Sequence, residues 1–311
     1  MQKTLGITVA ALTLAASQAA IAADLGARPY GAPAPAYRAA PAMMAIYNWS
    51  GFYLGGNVGY SWGKAETDVS VPGFTVLAPA TGVAPTFPVN IPGSAFSESL
   101  KPSGWVGGGQ IGWNSQFGNW VFGLEADLQA SGQKDDRSRS DAFAFTDVTS
   151  TPTEFDVVGT SATSLEAKLK WFGTARGRLG YAWDSWLVYA TGGLAYGNFD
   201  LTGVNTVAGT IICSANCGVA PATTTFSNTT SLNGSKSKAG WTVGSGIEGA
   251  AFLPNWTWKA EYLYLNFGKF DHAFATDSGV ITTSTRATDH ILRFGVNYRF
   301  AGGKGPVVAR W

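Results

Sequence analysis

Four carboxylates and four cations are the residues of this chain whose types and spacing could do chemistry: Glu125, Asp127, Glu248 and Glu261 against Arg176, Arg178, Lys259 and Arg293. Carboxylates beside cations are the raw material of general acid–base catalysis, because such neighbours move proton affinities to where a reaction needs them. The same set is also the raw material of an ion-pair layer, in which buried charges must pair because a lone one costs several kcal/mol. Imidazole is a second candidate. The chain has two histidines, His272 and His290, and a haem iron commonly takes such a ligand. The third candidate is the pair Cys213 and Cys217 in "CSANC". With no histidine nearby a zinc site is disfavoured, and in an oxidising compartment a local disulfide is the default. No Ser, His and Asp arrangement and no zinc-ligand cluster accompanies these groups, so neither nucleophilic nor metal catalysis is expected.

The elements that must position these side chains decide between the readings. In "HILRFGVNYRF", His290 to Phe300, the apolar residues Leu292, Phe294, Val296, Tyr298 and Phe300 alternate with Arg293, Gly295, Asn297 and Arg299. A period of two means a strand. Seven further segments repeat the pattern. Over 49–64, Phe52, Leu54, Val58, Tyr60 and Trp62 share a face; over 104–117, Trp105, Ile111 and Trp113 do. Over 119–130, Trp120, Phe122, Leu124, Ala126 and Leu128 oppose Gly123, Glu125, Asp127 and Gln129. Over 165–181, Leu169, Trp171, Ala175, Leu179 and Tyr181 oppose Lys168, Lys170, Arg176 and Arg178. Segment 186–201 is mostly apolar and small. Over 240–252, Trp241, Val243 and Ile247 oppose Gly246 and Glu248, and over 256–270, Trp258, Ala260, Tyr262 and Tyr264 oppose Lys259 and Glu261.

Connections alternate in length. Tight turns at 118–119, 184–185 and 253–255 alternate with long polar stretches at 65–103, 131–164, 203–239 and 271–288, whose Ser, Thr, Asn, Asp and Gly read as exposed loops. All the turns therefore lie at one end and all the loops at the other. At the N-terminus, Lys3, an apolar run from Leu5 to Ala16 and an Ala20-x-Ala22 site predict a cleaved signal peptide over 1–22. An Ala/Pro-rich linker follows over 23–46, the patterned region spans 47–300, and a glycine-rich tail occupies 301–311. A net charge of +1 argues against a nucleic-acid partner.

Strands of ten residues or more exceed the roughly 5–6 usual in a soluble sandwich and match a tilted membrane strand. Trp62, Trp105, Trp120, Tyr181, Trp186, Trp241, Trp256 and Tyr298 band the ends of the apolar face, as interfacial girdles do. In hydrocarbon, strands can span only as a closed barrel, because every backbone polar group needs an internal partner. The expected fold is all-β: an eight-stranded antiparallel transmembrane β-barrel with short periplasmic turns and long extracellular loops. Its apolar face meets lipid and its charges point inward. A lumen of that size is just wide enough for side chains to fill, which favours an ion layer over an acid–base site.

"YNWSGFYLGGNVGYSWG", "GLEADLQASG", "WFGTARGRLGYAW", "LVYATGGLAYG", "WKAEYLYLNFG" and "LRFGVNYRF" together resemble the alphaproteobacterial porin-like surface-antigen family, within the OmpA-like group of eight-stranded barrels. The resemblance covers residues 47–300. It implies an outer-membrane protein of a Gram-negative bacterium with a structural, porin-like or adhesive role, and some relatives bind haemin, which would bring His272 into play. It also implies an assembly signal at Arg293, Gly295, Tyr298 and Phe300, read by the barrel-insertion machinery after periplasmic chaperones deliver the chain. Most such barrels stop at that last aromatic, whereas this chain continues to Trp311. Lipid A deacylase barrels are similar in topology and use a His-x-Ser pair; here Ile291 and Leu292 follow His290, so that activity is not expected. The combined expectation is a monomeric, non-enzymatic surface barrel without a bound cofactor, in contact with outer-membrane lipid and lipopolysaccharide. The alternatives are a narrow diffusion channel and a haemin receptor.

Overall fold

Alternation of period two runs through nearly all of the protein described in this computed structural model, which covers residues 47–300 except 82, 149–152, 218–221 and 277–278. The expected signal peptide, linker and tail lie outside the described residues. Eleven strands follow in order: β1 (Gly51–Val71), β2 (Phe74–Thr81), β3 (Val83–Ile91), β4 (Ser94–Leu100), β5 (Ser103–Phe117), β6 (Trp120–Asp147), β7 (Glu154–Trp183), β8 (Trp186–Ala215), β9 (Thr223–Ala250), β10 (Trp256–Thr276) and β11 (Gly279–Phe300). Eight of them, β1 and β5 to β11, pair antiparallel in sequence order, and β11 returns to β1 from Phe52↔Phe300 through Ser70↔Thr282. The barrel is closed, so no backbone edge is left facing hydrocarbon.

Side chains sort by parity. On β1, Phe52 and Leu54 are 62% and 53% exposed, while Tyr53 between them is 2% exposed. Rings gather on the outer face in two bands. Near the tight turns, Trp120 meets Tyr181 (5.5 Å), Trp186 meets Trp258 (5.3 Å) and Trp256 meets Tyr298 (5.4 Å). At the other interface, Tyr60 meets Trp105 (5.7 Å), Trp171 meets Tyr196 (5.6 Å), Trp241 meets Tyr264 (5.5 Å), and Trp62 stacks on His290.

Two readings of the sequence need correction. The long polar stretches are largely strand: β7 and β8 run 30 residues each, roughly three times the 9–11 a tilted membrane strand needs. Polar composition mimicked a loop, yet Phe143 and Phe145, or Val207 and Ile211, keep the strand period. Beyond the membrane the wall divides. Pairing of β9 with β10 stops at Trp241↔Asn266, and β5 starts only at Ser103, leaving two four-stranded sheets, β4–β1–β11–β10 and β6–β7–β8–β9. They bury Val69 and Ile281 from one against Leu165 and Leu232 from the other, with Phe96 and Phe274 alongside. The separate β2–β3 hairpin packs Ala78, Val89 and Ile91 onto Phe155, Val157 and Ile211 of the second sheet.

The second correction concerns Leu169, Lys168 and Lys170. Bulges fall between Ala130 and Gln133, between Leu169 and Trp171, and between Asn266 and Gly268. An extra residue exchanges the two faces beyond it. Leu169 therefore points inward and is buried, while Lys168 and Lys170 stand on the outside.

The orientation has a direct test in two variants that each add one free thiol to the disulfide-bonded native cysteines: Asp141→Cys, on the emergent part of β6, and Asp184→Cys, in a tight turn. The first should react with a membrane-impermeant maleimide on intact cells, the second only after the outer membrane is opened. Reaction of the Asp184→Cys variant on intact cells would invert the topology.

Candidate functional site: the charge cluster in the lumen

All eight charged residues singled out from the sequence converge inside the barrel and are buried: Glu125 and Asp127 from β6, Arg176 and Arg178 from β7, Glu248 from β9, Lys259 and Glu261 from β10, and Arg293 from β11. Strand register brings opposite charges side by side. Glu125 stands opposite Arg176, Glu248 opposite Lys259, and Glu261 opposite Arg293. Such cross-strand pairs stabilise a sheet, and here they also reach across the lumen.

Glu125 is the hub. Its carboxylate accepts from Arg176 Nη2 (2.5 Å), from Lys259 Nζ at both oxygens (2.9 Å), from Arg178 Nη1 (3.5 Å) and from Arg293 Nη2 (3.4 Å). Glu261 accepts from Arg176 Nη1 (3.0 Å) and Arg293 Nε (2.7 Å). Asp127 accepts from Arg176 Nη2 and Arg293 Nη2, both at 2.9 Å, and Glu248 from Arg178 Nη2 at 2.8 Å. Four negative and four positive groups leave the cluster neutral. Close approach needs empty space beside the arginines. Gly59 stands opposite Arg293 and Gly193 opposite Arg176, and a Cβ at either would lie 2.7 Å from that arginine's own Cβ or Cα.

Several members of the network escaped the sequence reading. Tyr53 donates to Glu125 (2.6 Å) and accepts from Arg178 Nη1 (2.7 Å), while Tyr189 donates to Glu261 (3.1 Å) beneath the Arg178 guanidinium, 3.9 Å from its ring centre. Thr174 donates to Asp127, and Thr257 and Asn297 to Glu248, with Gln110 donating in turn to Asn297. Nearer the outer interface, Asp289 accepts from Ser61 (2.6 Å) and Gln133 (2.9 Å). The available signal was parity: each shares the inward face with a glycine or a charge.

Apolar layers bracket the charges. On the turn side lie Trp49, Val121, Ala182 and Leu187; on the other lie Val106, Phe172, Leu263, Leu265, Phe267 and Ile291. The acids and bases engage one another, so the cluster offers no carboxylate beside an unengaged nucleophile.

The remaining candidates lie elsewhere. His290 faces outward in the girdle, its Nδ1 2.6 Å from Tyr262 Oη. His272 faces the interior of the emergent sheets, stacked on Phe274 (5.8 Å), and burial together with nearby Lys236 holds its imidazole below the usual pKa. The two imidazoles lie on opposite faces of the wall, so they cannot ligate one iron together. Cys213 and Cys217 form a disulfide at the end of β8. Of the assembly-signal positions, Arg293 belongs to the cluster and Gly295 faces inward near Gly56, while Tyr298 and Phe300 face lipid with rings 5.3 Å apart.

A family model described as the outer membrane protein beta-barrel domain matches residues 8–300. This chain belongs to that family. The 31 kDa outer-membrane immunogenic protein of Brucella melitensis is 32% identical to this barrel over 301 residues, covering 94% of this chain and 99% of that protein. The 25 kDa outer-membrane immunogenic protein of Brucella abortus is 26% identical, covering 94% and 97%. The 22 kDa outer membrane protein of Rhizobium leguminosarum is 28% identical, covering 81% and 79%. The β-barrel described here is thus an outer-membrane protein of the alphaproteobacterial surface-antigen family, and its girdles and closed wall fit that location.

Proposed function

We propose that this outer-membrane β-barrel is a closed structural scaffold whose task is to hold the emergent double sheet and its hairpins at the cell surface. The observation that carries the reading is the neutral cluster of eight buried charges between two apolar layers. Ions crossing the lumen would have to break charge-assisted bonds and then pass packed side chains, and each unpaired charge left behind costs several kcal/mol. The surface-presenting half of the proposal is supported by strands that continue far beyond membrane depth and carry their own buried core. A non-enzymatic role is supported by the same arrangement, in which the acids and bases are engaged by one another between two apolar layers.

The test is conductance of the purified barrel in a planar bilayer. At most brief, small openings are expected at neutral pH. A large steady conductance in the unmodified protein would replace this reading with the diffusion-channel one.

A further inference from the structure

On one side of the barrel, lysines gather on the outer face just above the aromatic band. Above the outer aromatic band, where Trp171 meets Tyr196, the bulge in β7 sets Lys170 beside Trp171 and turns Lys168 outward. Lys134 of β6 stands directly opposite Lys168, and both are exposed. One row farther from the membrane Asp136 stands directly opposite Glu166, so lysine faces lysine and acid faces acid. On the far side of the barrel the row is mixed: above Trp62 and His290, Arg286 stands between Lys269 and Glu66, and in the next row outward Asp271 and Asp68 both stand opposite Ser284.

Like charges directly opposite destabilise a sheet, and exchanging Lys134 with Asp136 would relieve both repulsions on β6 and β7 at once. The wall supplies only part of the relief itself. Lys168 pairs with Glu166, and Lys170 pairs with Asp200 (2.6 Å), which stands opposite Lys168 in the same row, whereas Lys134 has no ion-pair partner among the described residues. That leaves Lys134, exposed beside Lys168, open to an anion from outside the chain.

We propose that Lys134, Lys168 and Lys170 form a binding site for the phosphate of an outer-leaflet lipid headgroup. Position identifies the occupant. The aromatic band fixes where the headgroup layer begins, the cationic row is the one adjoining it, and long lysine stems reach down along apolar surface to place their ammonium groups there. An acidic row one step higher suits a layer whose negative charge lies below it. The inference needs only the membrane placement, so it stands or falls independently of whether the lumen conducts.

The experiment is native mass spectrometry of the full-length barrel released from membranes containing phosphorylated lipid A or its dephosphorylated form. The unmodified protein should retain the phosphorylated lipid preferentially. Lys134→Gln with Lys168→Gln should cut retention about tenfold or more, given the attraction each basic residue contributes beside an anionic surface. Lys236→Gln with Lys238→Gln, an equal charge loss on β9, should not. The single variant Lys134→Glu separates binding from folding: in lipid-free detergent it should unfold at a higher urea concentration than the parent, because it now faces Lys168, while losing the lipid. Equal retention of both lipid forms, equal loss in the two double variants, or displacement by a few millimolar inorganic phosphate would overturn the proposal, the last by assigning the site to a free anion.

Discussion

Replacing Glu125 with alanine is expected to be the most damaging single change in the lumen. The side chain touches Arg176, Arg178, Lys259, Arg293 and Tyr53, and its loss takes the cluster from neutral to one net positive charge with cations held face to face. Removing one partner of a buried ion pair costs about 3–5 kcal/mol, mostly for stranding the other. The loss should appear as a lower urea midpoint for barrel unfolding in lipid vesicles. Balance is the cause, so neutralising a cation together with the acid should recover much of it. Glu125→Gln with Lys259→Met should be more stable than the sum of the two single changes, as a double-mutant cycle would register. An alanine variant within about 0.5 kcal/mol of its parent, the range of an ordinary surface substitution, would mean that water already screens these charges and that the lumen is wet.

Phe300 should matter to biogenesis far more than to the finished barrel. It closes the β1–β11 register opposite Phe52, yet it is half exposed to lipid and fills no core position. Phe300→Ala is therefore expected to lower the amount of protein reaching the outer membrane several-fold, while barrel refolded in vitro keeps nearly the parent's urea midpoint. Deleting 301–311 should leave outer-membrane levels almost unchanged. The reverse pair of results, a tolerated Phe300→Ala and a damaging deletion, would show that Trp311 carries the insertion signal.

What could be read from the sequence was what alternation alone encodes. Glu125 among Phe122, Leu124 and Ala126, or Arg293 between Leu292 and Phe294, discloses its side of the wall without any structure. Eight such segments with alternating short and long connections specify a closed up-and-down ring. Alternation carries no mark where a single extra residue enters, so Leu169 was placed on the wrong face together with Lys168 and Lys170. Composition misled in the emergent region, where both sheet faces contain Ser and Thr and the buried positions are sparse. Tyr53 and Tyr189 were hidden for another reason: their rings suit a girdle, and only their parity places them at the carboxylates.

If the barrel presents its emergent double sheet as proposed, that sheet also sets what an antibody against the folded protein could bind. On β7, Ser164, Glu166 and Lys168 look outward while Thr163 and Leu165 are buried, and on β8 the outward Thr202 and Val204 lie between the buried Leu201 and Asn205. An antibody footprint on this wall is thus a checkerboard of alternate residues drawn from neighbouring strands, and no continuous stretch of chain reproduces it. Sera raised against linear peptides from 155–215 should recognise the denatured polypeptide and pass over the folded wall, whereas antibodies to the intact barrel should require immunogens that keep the hairpins paired.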